Sequence, residues 1–557
     1  MSILSGYKPS DLELEGYDEY RRDPVSNQEV QLDAIEFAAY CDKRFAGACL
    51  PTGTGKELIG VSVAKLTGLR TVFLTATKGL QEQYGRNHAR NGLVDIRGRS
   101  NYTCDDHLTL DCRSGATVGC RLCHGGGCTY EQARNRARDS HLVVTNYAYW
   151  FTANDRASGI ERMRDDREIK GANPVELLVL DEAHEAPGLL SDYLGVRVYE
   201  KEIKRWKGVK ELGEEWKEWQ EFIKDNDLLL KLGGEIEEIK KVFGKVGRGL
   251  QKEQADKLHQ AEALREKLAR IASMDETDTV IEKKEGTRWG RQWSFDVVWP
   301  GKYAEQYLFC GVEKVLLMSA TLNKKTMGLL GVKKEDYEFK EWNRIFPAKR
   351  CPIYSIPAQN NEGKEVRIQY GTNGEDLTCW IEHIDTIIDT RTDRNGIIQT
   401  VSYERQRYLF DHSRHRDLFI GNTADANSQT AQDVADEFKR SPKPAILCSP
   451  SFATGWDFPK KECEYIIVCK VPFPPNQGKV QKARKERDPA YPAYQAMMQL
   501  VQSAGRGMRS ADDQCEVFIV DGHVNWFVWQ NKHLAPIWFS KAMRKVFEIP
   551  RPPEKLI

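Results

Sequence analysis

Short apolar runs rich in β-branched residues recur along the chain with helix-like segments between them. The first set is GACL (47–50), TVFLTAT (71–77), HLVVTN (141–146), ELLVLDE (176–182) and KVLLMSAT (314–321). The second is GIIQTVSY (396–403), AILCSPS (445–451), EYIIVCKV (464–471) and CEVFIVDG (515–522). Continuous apolar runs of this length, bounded by turn residues, suit strands buried on both faces. Such strands pair in parallel, because the crossover joining them is a helix that covers the sheet. The fold class expected is therefore α/β, with two parallel-sheet domains. Size points the same way, since 557 residues exceed what one core usually holds.

Between roughly 188 and 295 the character changes to charged and helical. Ile236, Ile239, Phe243, Val246 and Leu250 recur every three or four residues, and so do Leu258, Ala261, Leu264, Leu268 and Ile271. Two amphipathic helices are expected there, as an inserted helical subdomain. Trp206, Trp216 and Trp219 read as its core rather than as a base-stacking platform. Charged residues make up 29% of the chain, hydrophobic ones 40% and aromatic ones 10%, the balance of a soluble globular protein. No apolar run approaches a membrane span and the start MSILSGYKPS lacks a signal-peptide pattern, so a cytoplasmic protein is expected. Lys plus Arg equals Asp plus Glu at 82 each, so contact with nucleic acid would need a local basic groove.

LPTGTGKE (50–57) follows one apolar run and precedes a helix-like segment. In that context a glycine-rich turn points backbone N–H groups at phosphates. Gly53 and Gly55 allow close approach, and Lys56 supplies a point charge. On its own such a turn is equally an ordinary strand-to-helix loop. LLVLDEAH (177–184) ends an apolar strand in adjacent carboxylates. Asp181 at the tip suits Mg2+, and Glu182 suits the orienting of an attacking water. Alone, such a pair is usually a solvated turn; the upstream phosphate loop changes that reading. QSAGRGMR (502–509) puts Arg506 and Arg509 on one helix face, either to neutralise transition-state charge in a cleft or as a solvated basic face.

The stretch 104–128 holds five of the fourteen cysteines: Cys104, Cys112, Cys120, Cys123 and Cys128. The other nine are scattered singly. An odd, dense group in a cytoplasmic chain suits a metal or an iron-sulfur cluster better than disulfides. The C-x-x-C at Cys120 and Cys123 is also zinc spacing.

Taken in order, these motifs resemble superfamily 2 helicases, specifically the XPD/DinG-like iron-sulfur branch. PTGTGK is similar to motif I, TATKGLQEQ (75–83) to motif Ia, DEAH (181–184) to motif II and SATL (319–322) to motif III. IIQTVSY is similar to motif IV, SFATGWDFP (451–459) to motif V and QSAGRGMR to motif VI. The cysteines fall between motifs Ia and II, with TNYAYW (145–150) after them, and the helical insertion takes the place of that branch's arch domain.

The resemblance implies two RecA-like motor domains closing on ATP and Mg2+. Motor domain 1 is expected at 1–99, 136–188 and 296–345, the iron-sulfur domain at 100–135, the arch-like insertion at 189–295 and motor domain 2 at 346–557. Lys56, Asp181, Glu182, Gln502, Arg506 and Arg509 are the expected catalytic residues. Thr52, Gly53, Thr54, Gly55, Lys56, Glu57, Gly455 and Asp457 line the nucleotide, with Gln28 or, preferably, Gln31 on its adenine side. Four of the five clustered thiolates would hold a structural 4Fe-4S cluster. Cys104 and Cys128 match the ends of the pattern, Cys120 is third, and the choice between Cys112 and Cys123 stays open.

Single-stranded and forked duplex DNA are the implied partners of a monomeric 5′–3′ DNA helicase. Thr75, Lys78, Thr145, Asn146 and Ser449 would touch the DNA backbone, while His184 and Thr321 link hydrolysis to DNA grip. One departure matters: motif I usually ends in a Mg2+-ligating Thr or Ser, and here the residue is Glu57. The expectation is that its carboxylate takes over the metal contact; the alternative is that it turns away onto a basic side chain. A nucleic-acid-binding scaffold with a degenerate ATPase, and a zinc-binding RNA helicase of the DEAH group, are the competing readings.

Overall fold

The computed structural model describes residues 3–23, 26–117, 120–122, 127–155, 174–243, 251–369, 371–372, 374–421, 431–442, 444–450, 458, 462–475, 477–507 and 513–553. Along the chain come β1 (Phe45–Cys49), β2 (Thr71–Thr75), β3 (Leu93–Asp95), β4 (Leu142–Asn146) and β5 (Leu177–Asp181). Next are β6 (Val196–Tyr199), β7 (Thr279–Thr287) and β8 (Gly290–Val297), and after them β9 (Lys314–Ser319) and β10 (Tyr337–Glu341). The second half supplies β11 (Ile353–Ser355), β12 (Gly396–Gln399), β13 (Phe419–Ile420), β14 (Ile446–Cys448), β15 (Tyr465–Val468), β16 (Glu516–Ile519) and β17 (Met543–Lys545).

Two seven-stranded sheets result, in the orders β10-β1-β9-β5-β2-β4-β3 and β13-β14-β12-β15-β16-β11-β17. Every pairing in both is parallel. Each apolar run of the sequence forms one of these strands, and β1, β2, β5, β12, β15 and β16 are buried along their whole length. Burial on both faces is what removes the alternating pattern from their sequences. The second sheet is pinned by a pair between Arg391 and Glu516, which are 0% and 1% exposed. The guanidinium donates to both carboxylate oxygens at 2.8 and 2.9 Å and to the carbonyl of Pro550 at 3.0 Å. Among the described residues no helix is long and apolar enough to cross a membrane.

The insertion between β5 and β9 departs from the helical expectation. It contains helices Trp216–Asp225, Leu228–Phe243 and Gln251–Ser273, but also an antiparallel sheet in the order β6-β8-β7. Trp219, fully buried, packs edge-on against Trp293 and Phe295 of β8 at 5.4 and 4.9 Å. Trp216 joins that core and Trp206 lies against it, as expected. Ile236, Leu258, Leu264, Leu268 and Ile271 are buried as their spacing requires, whereas Val246 and Leu250 lie outside the described residues.

A basic helix of the second half, Lys479–Arg487, fastens this insertion to the second sheet's domain. Arg484 donates to the carbonyls of Val298 and Val297 at 2.9 and 3.1 Å and to Ser191 Oγ at 3.1 Å. Arg487 pairs with Asp278 at 3.2 Å, and Lys479 pairs with Glu214.

Candidate active site

The turn after β1 is shaped by two left-handed glycines, Gly53 (φ 81°) and Gly55 (φ 77°). A Cβ on Gly55 would lie 2.5 Å from Gln31 Nε2, so the position needs glycine for space as well as for its backbone. Gln31 is buried. Its amide nitrogen donates to the carbonyl of Thr54 at 2.7 Å and its oxygen accepts from the N–H of Arg21 at 2.5 Å. Arg21 in turn donates to the carbonyl of Gly53. Gln31 therefore braces the loop from behind, and Gln28 is exposed. The Thr54 hydroxyl turns back onto Pro51, and Thr52 faces Gly505 of the second half.

Lys56 opens helix Lys56–Thr67, and its Nζ lies 3.5 Å from Glu182 Oε1. Asp181 ends β5. Its Oδ2 accepts from the Tyr84 hydroxyl at 3.0 Å and its Oδ1 from the N–H of Glu182 at 2.9 Å. Burial, with the neighbouring charge of Glu182, pushes the Asp181 carboxyl up to about 6. The donor chemistry fits a divalent cation, since one hard carboxylate stands beside the phosphate loop.

Glu182 sits in the left-handed region at φ 48°, a conformation a non-glycine residue rarely holds without a local purpose. Here it aims the carboxylate between Lys56 and Ser319, whose hydroxyl donates to Oε2 at 3.1 Å. His184 Nδ1 is 2.7 Å from the same hydroxyl, and its Nε2 is 2.5 Å from Gln502 Nε2. Burial works against a charged imidazole, yet hydrogen bonds to Glu182 and Glu185 outweigh it and raise His184 to about 9. Gln502 also donates to Thr321 Oγ1 at 3.3 Å. One polar chain thus runs from Lys56 and Glu182 in the first sheet's domain to Gln502 in the second's.

Arg506, 8% exposed, follows the helix Tyr491–Ala504, with its Nη2 3.5 Å from Gln502 Oε1. Arg509, Gly455 and Asp457 lie outside the described residues.

Glu57 follows Lys56 in the first turn of the same helix. Its carboxylate turns onto the helix Lys78–His88, where Gln83 and Asn87 donate to Oε2 at 3.0 and 3.3 Å and His88 Nε2 lies 3.1 Å from Oε1. Asn91 Nδ2 approaches His88 Nδ1 at 3.2 Å, and the Tyr17 hydroxyl lies 3.4 Å from Nε2. Two amide donors on one helix thus hold Oε2, while Oε1 is buried beside His88 without a hydrogen bond among the described residues.

The expected nucleic-acid contacts divide. Lys78 is exposed, with its amine 2.7 Å from Asn101 Oδ1, and Asn146 is half-buried, donating to Gln81 at 3.0 Å. Thr75, Thr145 and Ser449 are fully buried. The Thr75 hydroxyl is engaged with the carbonyls of Thr77 and Thr145, and that of Thr145 with Ile96. All three stand at or next to strand ends.

Among the clustered cysteines, Cys104, Cys112, Cys120 and Cys128 are each 2% exposed, and Cys123 lies outside the described residues. Burial pushes the Cys104 thiol up, and the Cys120 thiol hydrogen-bonded to it adds to the effect. Gly115 leaves room for Cys104 Sγ, whose place a Cβ would occupy. Cys112 and Cys128 belong to the core beside Tyr130, and Cys128 Sγ caps helix Thr129–Asp139 by accepting from Glu131 N at 3.5 Å. Four buried sulfurs are the right donor chemistry for a thiolate-held cluster. Among the described residues, no three His, Cys, Asp or Glu side chains converge on one centre.

Tyr84, His88 and Ser319 were not singled out from the sequence. The i, i+4 spacing of Tyr84 and His88 was the available signal, since it puts both on one helix face.

Residues 390–541 match the family described as Helicase C-terminal domain. Among solved structures, the chain is similar to "XPD_Helicase", with a TM-score of 0.61 and 14% identity over 93% of this chain and 98% of that one. "XPD_APO" is similar with a TM-score of 0.55 and 15% identity over 93% and 100%. "Structure of S. tokodaii Xpd4" follows with 0.55 and 13% identity over 92% and 98%. No curated protein sequence matches the chain. The chain therefore carries two parallel α/β sheets in the fold of these XPD structures, and its residues 390–541 match the Helicase C-terminal domain family.

Proposed function

We propose that the protein is an ATP-driven DNA helicase that moves 5′–3′ on single-stranded DNA and opens forked duplexes. The observation that carries the reading is the polar chain Lys56–Glu182–Ser319–His184–Gln502, which ties a water-orienting carboxylate in one domain to the helix Tyr491–Ala504 of the other. Asp181 is the residue that would hold Mg2+, which when bound neutralises phosphate charge. Lys56 and the glycine turn bind the phosphates, Glu182 orients the attacking water, and Arg506 and Arg509 meet the charge that develops on the phosphoryl group. Ser319 and His184 act on Glu182, so motion of Gln502 alters the position of that carboxylate. In this reading the domain limits expected from sequence apply, with 100–135 as a cluster-bearing domain and 189–295 as an arch.

Cys104, Cys120, Cys128 and either Cys112 or Cys123 would hold a 4Fe-4S cluster that braces the small domain. The burial of Cys112 in the same core as Cys128 favours it over Cys123. Lys78 and Asn146 would follow the DNA backbone without reading sequence.

The test is ATP hydrolysis with and without single-stranded DNA, and strand displacement on a fork. Hydrolysis should rise with DNA. Glu182→Gln should lose it by about 100-fold or more while still binding ATP. Absence of DNA-stimulated hydrolysis in the parent would replace the motor by a nucleic-acid-binding scaffold.

A further inference from the structure

The helix Lys78–His88 is bonded at both ends to parts of the molecule with different proposed tasks. At its start, Lys78 is exposed beside Asn101. One turn on, Gln81 is buried, donating to the carbonyl of Ile96 at 2.9 Å and accepting from Asn146 at 3.0 Å. Further along, the same helix touches both unusual carboxylates of the nucleotide site. Tyr84, fully buried, donates to Asp181, while Gln83, Asn87 and His88 surround Glu57. His88 is itself fully buried under Tyr17, whose ring stacks on it at 5.5 Å. Glu57 neighbours Lys56 in the first turn of its helix, so a shift in what holds Glu57 is felt one residue from the phosphate-binding amine.

We propose that Gln83 and Asn87 are positioning residues which, through Glu57, couple nucleic-acid binding at the Lys78 end of this helix to nucleotide binding and turnover. The inference rests on the motor reading. A helix of eleven residues spans about 16 Å and moves as a rigid body, so displacement at Lys78 is carried to Gln83 and Asn87. A Thr or Ser in place of Glu57 is too short to reach those amides. The coupling belongs to the departure from the motif and not to the motif. Because binding free energies are linked, DNA should change the affinity for nucleotide by the same factor that nucleotide changes the affinity for DNA.

The experiment uses the full chain and the double variant Gln83→Ala/Asn87→Ala, whose substituted side chains are exposed. Two ratios are measured: turnover with a thymidine oligonucleotide over turnover without it, and affinity for a fluorescent ATP analogue with the oligonucleotide over affinity without it. Ratios remain readable if general activity falls. In the double variant both should drop by about fivefold or more, toward one, while oligonucleotide affinity without nucleotide stays within about twofold of the parent. Parent-like ratios in the variant would overturn the coupling and leave the motor reading standing. A parent whose own ratios are both one would sink the motor reading and the coupling with it.

Discussion

Asp181→Asn should make the nucleotide-free protein more stable at neutral pH, although it removes the carboxylate proposed to hold Mg2+. Asp181 is fully buried and its carboxyl is held up at about 6 against an ordinary 3.8. A raised carboxyl means that the native state binds the proton more tightly than the unfolded chain. Stability is therefore lost as pH rises from about 4 to about 6, and the loss is complete above that. The gap corresponds to roughly 3 kcal/mol at pH 7.5. Asparagine carries no charge and escapes this cost. Tyr84 can still donate to the amide oxygen, but the amide nitrogen faces the N–H of Glu182, and the lost hydrogen bond returns about 1 kcal/mol. A net gain of about 2 kcal/mol remains, roughly 4–8 °C in the melting of a domain this size. Below pH 4 both forms are neutral, so the advantage should vanish there. Thermal scans at pH 4 and 7.5, with and without MgCl2, are the assay; Mg2+ should raise the melting temperature of the parent and not of the variant. A variant less stable than the parent at pH 7.5, or equally stabilised by Mg2+, would refute the reasoning.

Glu57→Ala should leave the Mg2+ concentration for half-maximal hydrolysis within about twofold of the parent, since the carboxylate is held by Gln83, Asn87 and His88; a tenfold rise would return Glu57 to the metal. Cys104→Ser protein purified without oxygen should lose the brown colour and the roughly four iron atoms expected of the parent. Unwinding should fall further than hydrolysis in that variant, and a colourless parent with stoichiometric zinc would dismiss the cluster. Arg391→Ala should destabilise the second sheet's domain by about 3–5 kcal/mol in denaturant titration, because Glu516 would be left charged and buried. A loss under 1 kcal/mol would show that water reaches the pair.

Strands buried on both faces were legible because apolar and β-branched side chains dominate there, which is why TVFLT and YIIV announce β2 and β15. The short edge strands β13 and β17, two and three residues long, carry too few positions to announce anything. The sheet of the insertion was hidden for another reason. β7 reads TVIEKKEGT, with one face in solvent, and its Glu and Lys residues resemble the charged helices around it. At the nucleotide site the sequence located Lys56, Asp181 and Glu182 through their place at strand ends. Side-chain direction was not legible there. The orientation of Glu57 depends on two amide donors from a helix more than twenty positions away, and the internal engagement of Thr75 and Thr145 depends on how β2, β4 and Ile96 meet.

The helix Lys479–Arg487 turns the molecule into a closed mechanical loop. Covalently, the insertion hangs from the first sheet between β5 and β9, yet Arg484 and Arg487 hold its base from the opposite side of the cleft. Two bodies joined at a cleft have a free hinge; a strut across that hinge removes a degree of freedom. Any rotation that brings Arg506 toward Lys56 must then either drag Val297, Val298 and Asp278 along or shear the bonds that Arg484 and Arg487 make to them. In the proposed motor, closure at the phosphate loop would reach the insertion through these bonds as well as through the chain.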